Sequence, residues 1–384
     1  MFRALGMLGA GGILFLGPLV FNRLGLASTT IGLGLALASG VGLISRFLSG
    51  YMLDRGAALA VPLRIGAVLS ITADLLLLQA STGSGFLIGQ LLLGLGMGFY
   101  WPAAEFASAS LSAPLPSSQG FALARTADAL GIAAGTALGT LLAALFGADQ
   151  LRWVYGVDIS CMLLLLVLVG WLPRHSSMPN ANAATAGEPL APRSWLRPLL
   201  PLLVLSLLGT GLINLQQSAL PLDLANGGLA RSGLPEVGGG LLMGVQLVLI
   251  LLLQWPVGHR LGQQPVGVGL RLSLRSFAAA CGLMALSALH PQGVVLLLAA
   301  QPLLALAITA FLPTITEAVI EAVEPAHQGL ALGLYSQAWA ISGISLPPLA
   351  GWMLQSEQHG LGLWLLMGGF SLLALPLTPR RQSQ

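Results

Sequence analysis

Lysine is absent from this chain of 384 residues, and charge of either sign is scarce. All sixteen basic residues are arginine, thirteen residues are acidic, and together they make up 8% of the sequence. Soluble domains carry roughly a quarter of their residues charged, so a water-facing surface cannot be assembled from this supply. Nucleic-acid binding requires a dense basic patch; here the net charge is only +3, and the arginines stand singly or in pairs between apolar runs. Cysteine is nearly missing as well. Cys161 and Cys281 each sit inside an apolar run, too few for a disulfide framework or a thiolate metal cluster. The five histidines, His175, His259, His290, His327 and His359, lack metal-ligand spacing, and no glycine-rich loop followed by lysine could cradle nucleotide phosphates. The sequence therefore leads us to expect no enzyme, no resident metal or cofactor, and no ATP-driven transport by this chain alone.

What is abundant is apolar. Hydrophobic residues make up 55% of the chain and the mean hydropathy is +0.86. The 50 glycines and 23 prolines suit helices packed tightly in lipid. Arg3, an apolar stretch and the small residues Ala27 and Ser28 imitate a secretory leader, but the continuing hydrophobic spans favour an uncleaved first helix. About 20 apolar residues cross a bilayer core. Such runs fall near 5–21, 29–51, 60–80, 85–107, 120–146 and 151–172, then near 196–221, 237–258, 268–289, 292–315, 328–352 and 360–378. The expected fold is an all-α integral membrane protein of twelve transmembrane helices in two six-helix bundles, 1–172 and 198–384. They are joined by a flexible linker, 173–197, rich in Ala, Asn, Ser and Pro.

The arginines set an orientation. With the N-terminus inside, eleven fall on the cytoplasmic side, Arg3 among them, against Arg23, Arg152 and Arg231 outside; Arg46 and Arg125 lie within spans. Both termini are then cytoplasmic. An internal repeat supports the six-plus-six division: Pro116, Gln119, Gly120 and Ala122 recur as Pro325, Gln328, Gly329 and Ala331, and Gly50 recurs as Gly258 at almost the same offset. The two bundles read as pseudo-symmetric parallel copies.

At the end of the second span stands Gly50-Tyr-Met-Leu-Asp54-Arg55-Gly56, opening a short loop closed by Arg64. It resembles the signature loop between helices two and three of the major facilitator superfamily. Gln254-Trp-Pro256-Val-Gly258 occupies the corresponding place in the second half, and Gly94-Leu-Gly96-Met-Gly98 with Trp101-Pro102 resembles the family's fourth helix. The resemblance implies a monomeric carrier with the superfamily fold. It also implies that the Asp54 carboxylate latches the cytoplasmic face against the start of helix eleven near Gly329. A plain solvated loop is the alternative for Asp54 and Arg55. The second-half copy departs from the pattern: Gly262 and Gln263 stand where an acid and an arginine are expected. Gln90 stands where proton-coupled members often carry arginine, which puts that coupling route in doubt. Gly131, Gly135 and Gly139 on helix five read as a packing face, since no proline interrupts them as in the family's antiporters.

Ionisable groups inside spans are functional candidates because their burial is costly. They are Arg46, Asp74, Glu105, Arg125, Asp128, Asp158 and Glu317. Arg125 and Asp128, three apart, share a helix face where they either pair with each other or hold substrate. Glu105 and Glu317 sit near the cytoplasmic helix ends, as water-reached proton sites or ordinary interface charges. In the family, helices three and six lie outside the central cavity, which makes structural pairing the expectation for Asp74 and Asp158. The helices that line that cavity bring Tyr100, Trp101, Asn214, Gln217, Gln246, Tyr335 and Gln337 to the path; each amide equally suits an interhelical hydrogen bond. Such a lining fits a weakly charged or amphipathic small solute. The expected function is secondary transport by alternating access, such as a permease effluxing amphipathic compounds across an inner or plasma membrane, with protons as a candidate second partner. An uncoupled facilitator and a non-transporting assembly or pigment-delivery factor of the same fold remain alternatives.

Overall fold

The computed structural model describes residues 2–26, 28–110, 117–146, 151–171, 195–234, 236–354 and 360–379. Among them are twelve α-helices: α1 (Phe2–Arg23), α2 (Ser28–Asp54), α3 (Ala60–Gln79), α4 (Gly83–Ser110), α5 (Ser117–Phe146), α6 (Trp153–Gly170), α7 (Leu196–Asn226), α8 (Glu236–Leu261), α9 (Val266–Ala288), α10 (Gly293–Glu321), α11 (Gln328–Leu354) and α12 (Gly360–Leu373). Each coincides with one apolar run in the sequence. Nine of them are long and apolar enough to cross a membrane by length and hydropathy alone, among the described residues. Most of the proposed linker, 173–194, and Pro116 of the repeat lie outside the described residues.

Most boundaries shift by a few residues from the sequence expectation, α10 reaching Glu321 and α7 Asn226, and two of the differences have a plain cause. Arg64 does not close a loop: α3 begins at Ala60 with Pro62 in its first turn, a favoured place for proline, so Arg64 is already helical and exposed. The last helix stops at Leu373, and Leu375–Leu377 form a 3-10 turn around Pro376, which has no N–H to continue an α-helix.

The chain divides into two compact units: Met1–Ala113 with Ala124–Pro192 and Val323–Ala340, and Pro114–Leu123 with Arg193–Ala322 and Ile341–Gln384. In the first, α4 packs on α2 and α3, and α6 packs on α1 and α3. In the second, α10 packs on α8 and α9, and α12 packs on α9. That is the same pattern shifted by six helices, as a duplicated bundle requires.

Each core is built around aromatic rings. Phe21 packs on Phe86 with centroids 4.4 Å apart and on Tyr155 at 6.1 Å in the first unit; Phe277 meets Phe311 at 6.4 Å in the second. The outward surfaces are the reverse of a soluble protein's, with residues such as Leu241 at 67% exposure and Val295 at 66%. Glycine sets the close helix approaches. A Cβ on Gly131 would stand 2.6 Å from the Ala4 carbonyl, so the glycines expected to form a packing face on α5 receive α1 directly.

Candidate functional site

The site begins where α2 ends. Asp54 is the last residue of α2, and the chain turns away through Gly56 in the left-handed conformation, φ +81. The other partner is the start of α11, which follows a 3-10 turn over Pro325–His327. The first N–H groups of a helix have no partner within it. Asp54 supplies one for two of them: Gly329 N donates to Oδ1 at 2.7 Å and Leu330 N to Oδ2 at 2.8 Å. An anion here also opposes the positive end of the helix dipole. Backbones must come very close to allow this. A Cβ on Gly50 would lie 2.5 Å from the Gly329 carbonyl oxygen, and one on Gly329 would lie 2.7 Å from Asp54 Oδ1. The expected contact near Gly329 is thus present. Arg55 is exposed beside it, its guanidinium 5.0 Å over the Tyr51 ring.

The second copy repeats the approach without the carboxylate. Gly258 of α8 faces Ala122 of α5, as Gly50 faces Gly329, but Gly262 stands where Asp54 has its acid.

Deeper in the first unit, four charges meet. Arg3 of α1 donates from Nε to Asp128 Oδ1 at 2.9 Å and from Nη2 to Asp128 Oδ2, and its Nη1 lies 3.2 Å from Glu105 Oε2. Arg125 donates from Nη2 to Glu105 Oε1 at 2.6 Å and from Nη1 to Asp128 Oδ2 at 3.3 Å. Two cations alternate with two anions, all buried, so the set is neutral as a whole. Charges taken out of water are tolerable only when paired and hydrogen-bonded in this manner. The neighbouring aromatics are part of it. The Arg3 guanidinium lies 5.5 Å over the Trp101 ring, and the Tyr100 hydroxyl donates to the Phe2 carbonyl at 3.1 Å.

The Arg125–Asp128 pair that the sequence offered is therefore joined with Tyr100, Trp101 and Glu105 in one constellation, and Arg3 completes it. Counting Arg3 as a cytoplasmic flanking charge is corrected: it is buried and ion-paired. Glu105 likewise does not stand alone at a wet helix end but is held between two arginines.

A family comparison decides the class. The family model for the Major Facilitator Superfamily matches residues 2–290. The chain belongs to the major facilitator superfamily. Solved structures of superfamily members share its fold. The E. coli fucose:proton symporter FucP aligns with TM-score 0.78 at 14% identity, over 98% of this chain and 96% of that one. The proton:xylose symporter XylE bound to 6-bromo-6-deoxy-D-glucose aligns with TM-score 0.76 at 16% identity, over 98% and 93%. A bacterial homologue of the iron transporter ferroportin, in an outward-facing state, aligns with TM-score 0.75 at 15% identity, over 98% and 96%. A comparison with curated proteins gives no match. This superfamily chain is accordingly a multi-pass membrane protein with the twelve-helix, two-domain fold, and secondary transport is its class of activity.

The remaining path candidates of this superfamily member are spread over both units. Tyr335 of α11 is buried within electrostatic reach of Arg125, and Gln337 donates to the Leu43 carbonyl of α2 at 3.4 Å. In the second unit, Asn214 donates to Ser342 Oγ at 2.7 Å. Gln246 of α8 is hydrogen-bonded to Gln216 of α7, the neighbour of the candidate Gln217, whose own side chain lies outside the described set. Glu317 is buried on α10. Asp74 of α3 and Asp158 of α6, expected to pair, are both fully buried and within electrostatic reach of one another, but their carboxylate oxygens make no hydrogen bond among the described residues.

Sequence reasoning missed a second buried ion pair. Arg231, counted as an external loop charge, is 2% exposed and donates from Nη2 to Asp223 Oδ2 at 3.2 Å and to the Asp223 carbonyl at 3.1 Å. Trp364 Nε1 donates to the same carboxylate at 3.2 Å. Only an arginine eight positions from an isolated acid signalled it.

Proposed function

We propose that this chain is a permease that carries a small solute by alternating access, and that Asp54, Gly50, Arg55 and Arg64 form its cytoplasmic gate. The observation carrying this reading is the capping of the α11 N-terminus by Asp54. A carboxylate that satisfies two helix N–H groups in trans, at a glycine-to-glycine contact, is a joint that can be broken and remade. Splitting it exposes only groups that water can satisfy. The halves that move are 1–172 and 198–384, with 173–197 as the linker between them.

Tyr100, Trp101, Glu105, Arg125 and Asp128 flank the path in the first half, with Tyr335 and Gln337 beside them; Asn214, Gln217 and Gln246 contribute from the second half. A lining of aromatics, amides and a self-neutralised charge set suits efflux of amphipathic compounds. The protein works as a monomer in an inner or plasma membrane with both termini cytoplasmic. The arginine asymmetry supports this orientation even after Arg3 and Arg231 are withdrawn, leaving ten (eleven less one) against two (three less one). Gln90, a buried amide on α4, favours a second reading in which transport is uncoupled from protons.

The test is uptake into proteoliposomes of purified protein, over a panel of amphipathic and polar solutes, with and without an imposed proton gradient. Flux that Asp54→Asn abolishes is expected, and its response to the gradient separates a proton-coupled carrier from a facilitator. Absence of flux for every solute, with folded protein, would favour the assembly-factor alternative.

A further inference from the structure

Among the described residues, Arg46 is a half-buried arginine without an acid; two others, Arg152 and Arg271, each donate to a backbone carbonyl. The other buried arginines have acids: Arg3 and Arg125 share Glu105 and Asp128, and Arg231 has Asp223. Asp74 and Asp158, buried on α3 and α6, lie within electrostatic reach of each other rather than of Arg46, and Glu317 is buried on α10 in the other unit. Arg46 lies within α2, and its Nε and Nη1 atoms are buried with no hydrogen-bond partner. The residue is half-buried rather than enclosed, and Nη2 is the guanidinium nitrogen that is not among its buried, unpartnered atoms.

Its surroundings keep it in place without satisfying it. The guanidinium folds back over Gly42, where a Cβ would stand 3.1 Å from Nη1 and 3.3 Å from the Gly94 carbonyl of α4; only glycine leaves that space. On the other side Gly333 of α11 would bring a Cβ within 3.0 Å of the Arg46 carbonyl, and Gln337 follows one turn later. Eight residues separate Arg46 from Asp54 at the end of α2, about 12 Å of helix rise. The side chain bends further from that end, so a lipid phosphate at the membrane surface is not positioned to neutralise it. A planar guanidinium with unsatisfied N–H donors is the group that best recognises a carboxylate or related oxyanion.

We propose that Arg46 binds the anionic group of the transported solute, which makes the substrate class amphipathic organic anions. This rests on the transporter reading above and narrows it. The probes are two matched pairs, benzoate with benzamide and octanoate with octanamide, tested by thermal unfolding of the purified full-length protein and of the Arg46→Gln and Arg46→Lys variants.

At least one carboxylate is expected to raise the wild-type Tm in a saturable manner while its amide does not. Arg46→Gln is expected to weaken that apparent affinity about tenfold or more, and Arg46→Lys to weaken it less. The carboxylate-against-amide contrast in the wild type stands even if Arg46→Gln fails to fold. Equal stabilisation of wild type and Arg46→Gln, no stabilisation by either carboxylate, or stabilisation only by added phosphatidylglycerol would each overturn the proposal. Carboxylate binding that needs Arg46 but gives no flux in liposomes would remove the transporter reading and leave this site standing. Flux of a neutral solute unchanged by Arg46→Gln would do the reverse.

Discussion

Arg125 Nη2 donates to Glu105 Oε1 at 2.6 Å, tying the start of α5 to the end of α4 inside a ring of two cations and two anions. Because the ring is neutral only as a whole, removing one member leaves a buried charge of the opposite sign. Breaking such a pair costs about 3–5 kcal/mol. Glu105→Gln is expected to lower the Tm of the purified protein strongly. Glu105→Gln combined with Arg125→Gln should recover most of that loss, since Arg3 and Asp128 remain matched. If the double variant loses the sum of the two single losses, the ring is not energetically coupled.

The Asp54 latch makes a separate prediction about access. Asp54→Asn keeps one acceptor oxygen but loses the charge opposite the α11 N-terminus, an interaction of about 1 kcal/mol. The latch should then open roughly fivefold more often by the Boltzmann relation. Cys161 and Cys281 are both buried, so a Leu330→Cys reporter gives a clean maleimide signal. Its labelling should accelerate about fivefold in the Asp54→Asn background. An unchanged labelling rate would mean that the carboxylate does not hold this joint closed.

Gly50 and Gly40 provide an internally controlled pair on α2. A Cβ at Gly50 meets the Gly329 carbonyl oxygen at 2.5 Å and the Leu330 Cα at 3.1 Å, whereas a Cβ at Gly40 meets nothing within 4 Å. Gly50→Ala must push the α11 backbone away and weaken both bonds to Asp54. Gly40→Ala carries no such clash and gains helix propensity, worth up to about 1 kcal/mol. Thermal unfolding should therefore fall for Gly50→Ala and stay level or rise for Gly40→Ala. The opposite ranking is incompatible with a glycine-dependent α2–α11 contact.

The helices were legible in the sequence because lipid imposes a simple rule, long apolar runs with every backbone group satisfied internally; α3, read at 60–80, spans Ala60–Gln79. The Asp54 contact was legible through a motif resemblance. The pairing of charges was not, because linear position says little about burial. Arg3 and Asp128 are 125 positions apart, and Arg3 sits where a flanking charge ordinarily lies. Arg231 is in a segment between helices yet is enclosed by Asp223 and Trp364. Nor can adjacent amides be ranked by sequence: Gln216 and Gln217 differ by about 100° around the helix, and it is Gln216 that meets Gln246.

The Asp223–Arg231 pair tests whether the missed ion pair holds the second unit together. Asp223 Oδ2 accepts from both Arg231 and Trp364, which fastens the end of α7 to the following loop and to α12. Arg231→Met leaves the Asp223 carboxylate buried without this cation, at a cost of about 3–5 kcal/mol. Asp223→Asn with Arg231→Met removes both charges and keeps an acceptor for Trp364 Nε1, so it should unfold closer to wild type. Trp364 fluorescence should shift in Arg231→Met and shift less in the double variant. The Glu105 ring lies in the other unit, so losses from Arg231→Met and Glu105→Gln should add, as they do for distant sites. A non-additive result would show that the two ion-pair clusters communicate, and would make Arg231 part of the transport cycle rather than a fastening of one bundle.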